Sequence, residues 1–237
     1  GTQKTHSSSV QSTIAASSAY TNIEFFSSTK ASDDSPYETI NLAEALGYQD
    51  YGASQEIAIV DSGFTHSGCA TAQDHDTMSG KTISYYGTFY CAGFTGSDYH
   101  GLSVAHIASG VTSAGIMGVA PSASLHLSDY SVFNGETYLP NHWANATNNA
   151  SSAIVQNNSW GTDVQLDTVQ NYITSNSVTT DTAVAAYWTA AGLNANATSV
   201  SNYITALNNF QNHGVIVYAL SNTSSFIPLI FSVSLLV

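Results

Sequence analysis

Between about Tyr37 and Leu220, short apolar runs alternate with segments of helical period. EIAIV (56–60), the LHL end of GVAPSASLHL (118–127), AIVQNNSW (153–160) and VIVYAL (215–220) read as strands. ISYYGTFY (83–90) reads as a further strand. INLAEAL (40–46) predicts one short helix. GLSVAHIASGV (101–111) is apolar at 102, 104, 105, 107, 108 and 111, the pattern of a mostly buried helix. SVSNYITALNNFQNHG (199–214) sets Val200, Tyr203, Ile204, Leu207 and Phe210 on one face, with Gly214 placed to cap its end. The apolar runs do not alternate in polarity, so they suit strands covered on both sides. The expected fold is α/β, a parallel sheet flanked by helices on both faces.

The two ends of the chain differ from this core. Residues 1–35 are rich in Ser and Thr without a sustained period, and read as an arm or a propeptide remnant. The globular pattern fills 36–226. Residues 227–237 carry no charge and only two Ser. Eleven residues are too few to span a bilayer as a helix, so no membrane-spanning segment is expected.

Composition narrows the partners. The chain has no Arg, three Lys (Lys4, Lys30, Lys81) and 16 acids, for a formal charge of -13. Such a chain repels phosphate backbones, so no nucleic-acid partner is expected. Polarity comes from Ser, Thr and Asn, which suits a secreted or cell-surface protein. Cys69 and Cys91 are either two free thiols or one disulfide; in an oxidising compartment a bridge would close a loop of roughly 23 residues, worth about 3 kcal/mol. Sequons occur at Asn145, Asn157, Asn196 and Asn222.

Candidate chemistry sits where the strands end. In a parallel α/β sheet, sites form beyond the carboxyl ends of the strands. There stand Asp61 after EIAIV, Ser159 after AIVQNN and Asn222 after VIVYALS. His100 lies 39 positions after Asp61, just before the buried helix. The positive end of that helix disfavours an imidazolium, and a nearby carboxylate favours it. Together they would hold an oriented imidazole suited to general base work.

These residues carry a resemblance. IAIVDSG (57–63) resembles the Asp motif of the subtilisin-type serine peptidases, the subtilase family, an apolar run ending D-S/T-G. HGLSVAH (100–106) matches in part the family's H-G-T-H-V-A-G. GVAP (118–121), SWG (159–161) and Asn222 after GVIVYALS match its further motifs in order, over about residues 37–222. The resemblance implies peptide-bond hydrolysis, with His100 as base and Asp61 as the group that orients it. It implies that the Asn222 amide donates to the oxyanion, an interaction worth roughly 3–4 kcal/mol of barrier in subtilisin. It implies that Ser159, Trp160 and Gly161 line the edge where an extended polypeptide substrate binds. No cofactor is required; the resemblance allows calcium and further C-terminal domains, and assigns no metal ligand here.

The match departs in several places. Leu102, Ser103 and His106 replace Thr, His and Gly of the His motif. His106 puts a large ring where the family keeps a small residue, and needs a partner or a gap. The family's nucleophile motif, G-T-S-x-A-x-P, does not occur in the chain. Ser221, Ser224 and Ser225 lack its glycine turn and helix. The expectation is a partial catalytic domain, truncated or read out of frame shortly after Ser225, and inactive alone. A non-catalytic peptide-binding relative is the alternative.

Two other patterns point elsewhere. SGKT (79–82) ends like a phosphate-binding loop, but position 75 is His where that loop needs Gly. His66, Cys69, Asp74, His75, Asp76 and Cys91 follow no compact zinc spacing.

Overall fold

The computed structural model describes residues 42–66, 70–71, 76–87, 100–111, 117–130, 132–133, 136–137, 140–161 and 166–219. Their elements run α1 (Leu42–Gly47), β1 (Glu56–Asp61), β2 (Thr65–His66), β3 (Ala70–Thr71), a 3-10 turn (Asp76–Met78), β4 (Ile83–Tyr86), α2 (His100–Ser109) and β5 (Ser124–Asp129). They continue with β6 (Val132–Phe133), β7 (Glu136–Thr137), α3 (Pro140–Asn149), β8 (Val155–Asn158), α4 (Leu166–Asn176), α5 (Thr180–Ala190), α6 (Ala197–Gln211) and β9 (Val215–Tyr218).

The α/β expectation holds. Five parallel strands form one sheet in the order β4-β5-β1-β8-β9, with helices on both faces. The register sorts side chains by face. Ile57 and Ile59 share a face with Leu125 and Leu127 of β5, and Leu102 and Ala105 of α2 cover them, with Phe64 and Met78 beside. Val60, Ile216 and Tyr218 point the other way, toward α3, α5 and α6.

That second side holds an aromatic core. Trp143 of α3 lies 4.7 Å from Trp160, 5.3 Å from Trp188 and 5.5 Å from Tyr203, ring centre to ring centre. Its indole N–H donates to the Tyr130 carbonyl at 2.9 Å. The hydroxyls of Tyr203 and Tyr218 meet at 2.7 Å inside this core, so both find partners where water is excluded.

Every strand and helix read from the pattern appears where its residues are described. Helices α3, α4 and α5 went unread. α3 (PNHWANATNN) is rich in Asn, a poor helix former, yet Pro140 at its first position is a usable start signal. α6 begins in a capping box between Asn196 and Ser199. Its end corrects the expectation for Gly214. Asn212 is the capping residue, and Gly214 is absent from the positive-φ glycines. Gly214 serves close approach instead, since a Cβ there would lie 2.5 Å from the Phe210 ring and 2.9 Å from the Ile154 carbonyl.

The SGKT segment runs into strand β4 and not into a helix. The Lys81 ammonium is buried and donates to the Pro121 carbonyl at 2.8 Å. Burial lowers its pKa to about 8.

Trp143→Ala is expected to lower unfolding stability by about 3–5 kcal/mol, the usual range for a buried aromatic cut to Ala. Urea titration at 25 °C checks it, and a loss under about 1 kcal/mol would place the load elsewhere.

Candidate active site

Strand β1 delivers Asp61 to the carboxyl edge of the sheet, and the chain turns at once through Ser62 and Gly63. Gly63 has φ 78°, a conformation that glycine adopts without strain. Helix α2 starts directly above this turn. The Gly101 N–H donates to the Ser62 carbonyl at 2.6 Å, and the Leu102 N–H donates to the Gly63 carbonyl at 3.0 Å. Two of the N–H groups that a helix start leaves without partners are thereby satisfied by the turn itself.

That docking aims His100 at Asp61. The imidazole Nδ1 lies 2.7 Å from Asp61 Oδ1. The Asp61 side chain is 1% exposed and the His100 side chain 55%. Asp61 Oδ1 also accepts from the Ser62 N–H at 2.7 Å. With Nδ1–H donating to the carboxylate, the lone pair of the imidazole falls on Nε2.

Gly101 is demanded by the geometry. A Cβ there would lie 2.7 Å from the Phe64 ring and 2.8 Å from the Ser62 carbonyl. His106 is accommodated by a gap. A Cβ on Gly110 would collide with its ring, so the bare glycine makes the room. His106 Nε2 is buried with no hydrogen-bond partner among the described residues.

The ends of the neighbouring strands are stitched to the same edge. The Tyr130 N–H donates to the Asp61 carbonyl at 2.9 Å, and the Ala219 N–H to the Asn158 carbonyl at 2.9 Å. The Trp160 indole N–H donates to the Val60 carbonyl at 2.9 Å, and the ring stacks on Tyr130 with centres 4.6 Å apart. Trp160 is therefore a core side chain, while Ser159 beside it is half-buried. Gly161 is exposed, with open space where a Cβ would stand. The Ser159 hydroxyl accepts from the Asn157 amide at 2.8 Å.

Asn222, Cys69 and Cys91 lie outside the described residues. So does most of the zinc-like set; among the described residues no three His, Cys, Asp or Glu could hold a metal ion. One group at the site was not singled out in the sequence. Asp129 ends β5 in register with Asp61 and is also buried. Its only signal is SLHLSD, a strand of alternating Leu and polar residues that ends on a carboxylate.

Burial pushes the Asp61 carboxyl above its ordinary range. The hydrogen bonds from His100 and Ser62 and the charge of His100 oppose the rise, and the charge of Asp129 adds to it. The folded chain then keeps a proton that the unfolded chain has already released. Stability consequently falls as pH climbs from the ordinary aspartate range through the raised folded value. Asp61→Asn removes this dependence. Its melting temperature relative to the parent is expected to rise across that interval and to be flat below it, as thermal unfolding at stepped pH would show. A second expectation concerns Gly101→Ala. It should cost about 1–3 kcal/mol of stability, the usual range for overpacking, and abolish the downfield Nδ1 proton resonance of His100. Gly161→Ala, where space is open, should leave that resonance in place.

Comparison with known proteins gives this geometry its context. The model of the subtilase family (Peptidase_S8) matches residues 52–227. No curated protein matches the chain. Among solved structures, the prenylagaramide maturation protease PagA is similar at a TM-score of 0.50 and 16% identity, covering 76% of this chain and 51% of that one. MycP1 with its N-terminal propeptide removed gives 0.47 and 20%, covering 79% and 49%. Fervidolysin from Fervidobacterium pennivorans, a keratinolytic enzyme related to subtilisin, gives 0.49 and 20%, covering 81% and 25%. The chain thus spans about half the length of the first two and a quarter of the third. Among the described residues no helix is long and apolar enough to cross a membrane. With the family match spanning most of its length, the chain belongs to the subtilase family.

Proposed function

We propose that the chain carries the acid–base half of a secreted serine endopeptidase that acts on polypeptides. The observation that supports this best is the 2.7 Å contact between His100 Nδ1 and a buried Asp61 oxygen, with the imidazole itself half-exposed. In that arrangement Asp61 selects the tautomer and steadies the imidazolium when it forms. Nε2 then receives a proton from a serine hydroxyl and returns it to the leaving amine. The nucleophile is not among these 237 residues in any recognisable motif.

The remaining roles follow the family. Asn222 donates to the oxyanion. An extended substrate lies along the backbone of Ser159–Gly161, where none of the described residues crowds Gly161. The dyad needs no cofactor. The second reading is a peptide-binding relative without catalysis, and the missing nucleophile motif favours it. The retained Asp61–His100 contact favours the enzyme, because binding an extended backbone uses neither group.

The isolated chain is expected to show no measurable proteolysis, since loss of the nucleophile costs on the order of 10⁶ in kcat in subtilisin. Casein hydrolysis that disappears in His100→Ala would contradict this. A serine-directed phosphonate applied to the full gene product separates the two readings. Covalent labelling that depends on His100 supports the peptidase, and its absence in a folded product supports the binding protein.

A further inference from the structure

Asp61 and Asp129 end neighbouring strands in register. Asp61 follows Ile57 and Ile59 along β1, and Asp129 follows Leu125 and Leu127 along β5. By alternation both carboxyl groups leave the sheet on the α2 side, from strands about 4.8 Å apart. Both are buried. The backbone holds Asp129 in place from two directions. The Tyr130 N–H donates to the Asp61 carbonyl, while His142 and Trp143 of α3 donate to the carbonyls of Asp129 and Tyr130. Asp61 Oδ1 is occupied by His100 and Ser62. Its Oδ2 is buried without a hydrogen-bond partner among the described residues. An orphaned carboxylate oxygen is costly, and so are two buried negative charges side by side.

One proton removes both costs. We propose that Asp129 shares a proton with Asp61, its carboxylic acid O–H donating to Asp61 Oδ2, and that it thereby acts as a positioning residue for His100. The pair then carries one negative charge, centred on Asp61. His100 Nδ1–H keeps its acceptor, and Nε2 keeps the lone pair. The other groups around the pair supply no counter-charge in place of the proton. His142 faces Asp129 from α3, but burial lowers its pKa against the opposing hydrogen bond and charge of Asp129, so it is neutral near neutral pH. Tyr86 of β4, stacked on His142, is neutral as well, since burial raises its pKa. Lys81, the one Lys among the described residues, is taken by the Pro121 carbonyl. That leaves the His100 imidazole of α2, which balances one carboxylate at most. The charge of Asp129 does reach Asp61 and opposes its ionisation. The shared proton stands apart from the peptidase reading; its service to Nε2 rests on that reading.

Unfolding at stepped pH tests this on the parent chain, Asp129→Asn, Asp61→Asn and the double variant. A shared proton is a single proton. The fall in stability above the ordinary aspartate range, at most about tenfold in the unfolding constant per pH unit, should therefore vanish in either single variant. The double variant should match the singles. Asp129→Asn keeps the side-chain size and brings an amide that can donate to Oδ2, so the fold should persist. Carboxyl carbon resonances give a second measurement that needs no variant. In the parent, Asp61 and Asp129 should each show the same two titration steps. In Asp129→Asn, Asp61 should titrate in one step, at least about one pH unit below its last step in the parent. The His100 Nδ1 proton resonance should then survive to correspondingly lower pH, which a merely structural role for Asp129 would not bring about. Independent single-step titrations in the parent would overturn the proposal, as would a pH dependence that persists in Asp129→Asn. Failure of the full gene product to react with the phosphonate would strike the peptidase reading instead, and would leave the two-step titration in force.

Discussion

Two backbone hydrogen bonds hold the site in shape. The N–H groups of Gly101 and Leu102 donate to the carbonyls of Ser62 and Gly63, so the helix that carries His100 is clipped to the turn that follows Asp61. The clip resolves two local problems together. A helix start leaves N–H groups without partners, and a tight turn after a buried strand leaves carbonyls without partners. Each supplies the other. It works only because Gly63 accepts a left-handed conformation and Gly101 lets the Phe64 ring and the Ser62 carbonyl come close. The imidazole–carboxylate contact is a by-product of this docking as much as its purpose.

Asp61 also shows what burial costs. A carboxylate at the end of a fully covered strand loses hydration, and the hydrogen bonds of His100 and Ser62 do not fully compensate. Asp129, one strand over and equally enclosed, adds repulsion. The parallel register creates the problem, since it places the last residue of β1 directly beside the last residue of β5.

The legible part of the molecule was the part written in short apolar runs. β1 declares itself because a central parallel strand is covered on both faces and admits few polar residues, and β9 declares itself by the run VIVY although it lies at the sheet edge. Asp61 and His100 were legible because a carboxylate ending such a run, and an imidazole opening a buried helix, are each out of place unless used. Three other features were hidden for physical reasons. α3 draws its stability from Trp143 and its tertiary partners, so its Asn-rich sequence has weak helical preference. Trp160 stands between Ser159 and Gly161, and sequence cannot say that its ring turns inward to Val60 and Tyr130. His106 looks like a clash until Gly110 is seen to leave space for it. Pairs distant in sequence but adjacent in space, such as Asp61 and Asp129, emerge only with the register.

The strand order has a consequence for how the molecule comes to exist. β1 is central, yet its neighbours arrive late: Glu56 sits opposite Ser124, 68 residues on, and Ile57 opposite Val155, 98 residues on. During synthesis the acid-bearing strand must wait for its first neighbour until β5 has emerged, and for its second until β8 has. Closing such long loops is paid in entropy before any contact returns it. Enclosure of β1 is therefore a late, cooperative event, and β8 in turn waits for β9, whose Val215 lies opposite Val155.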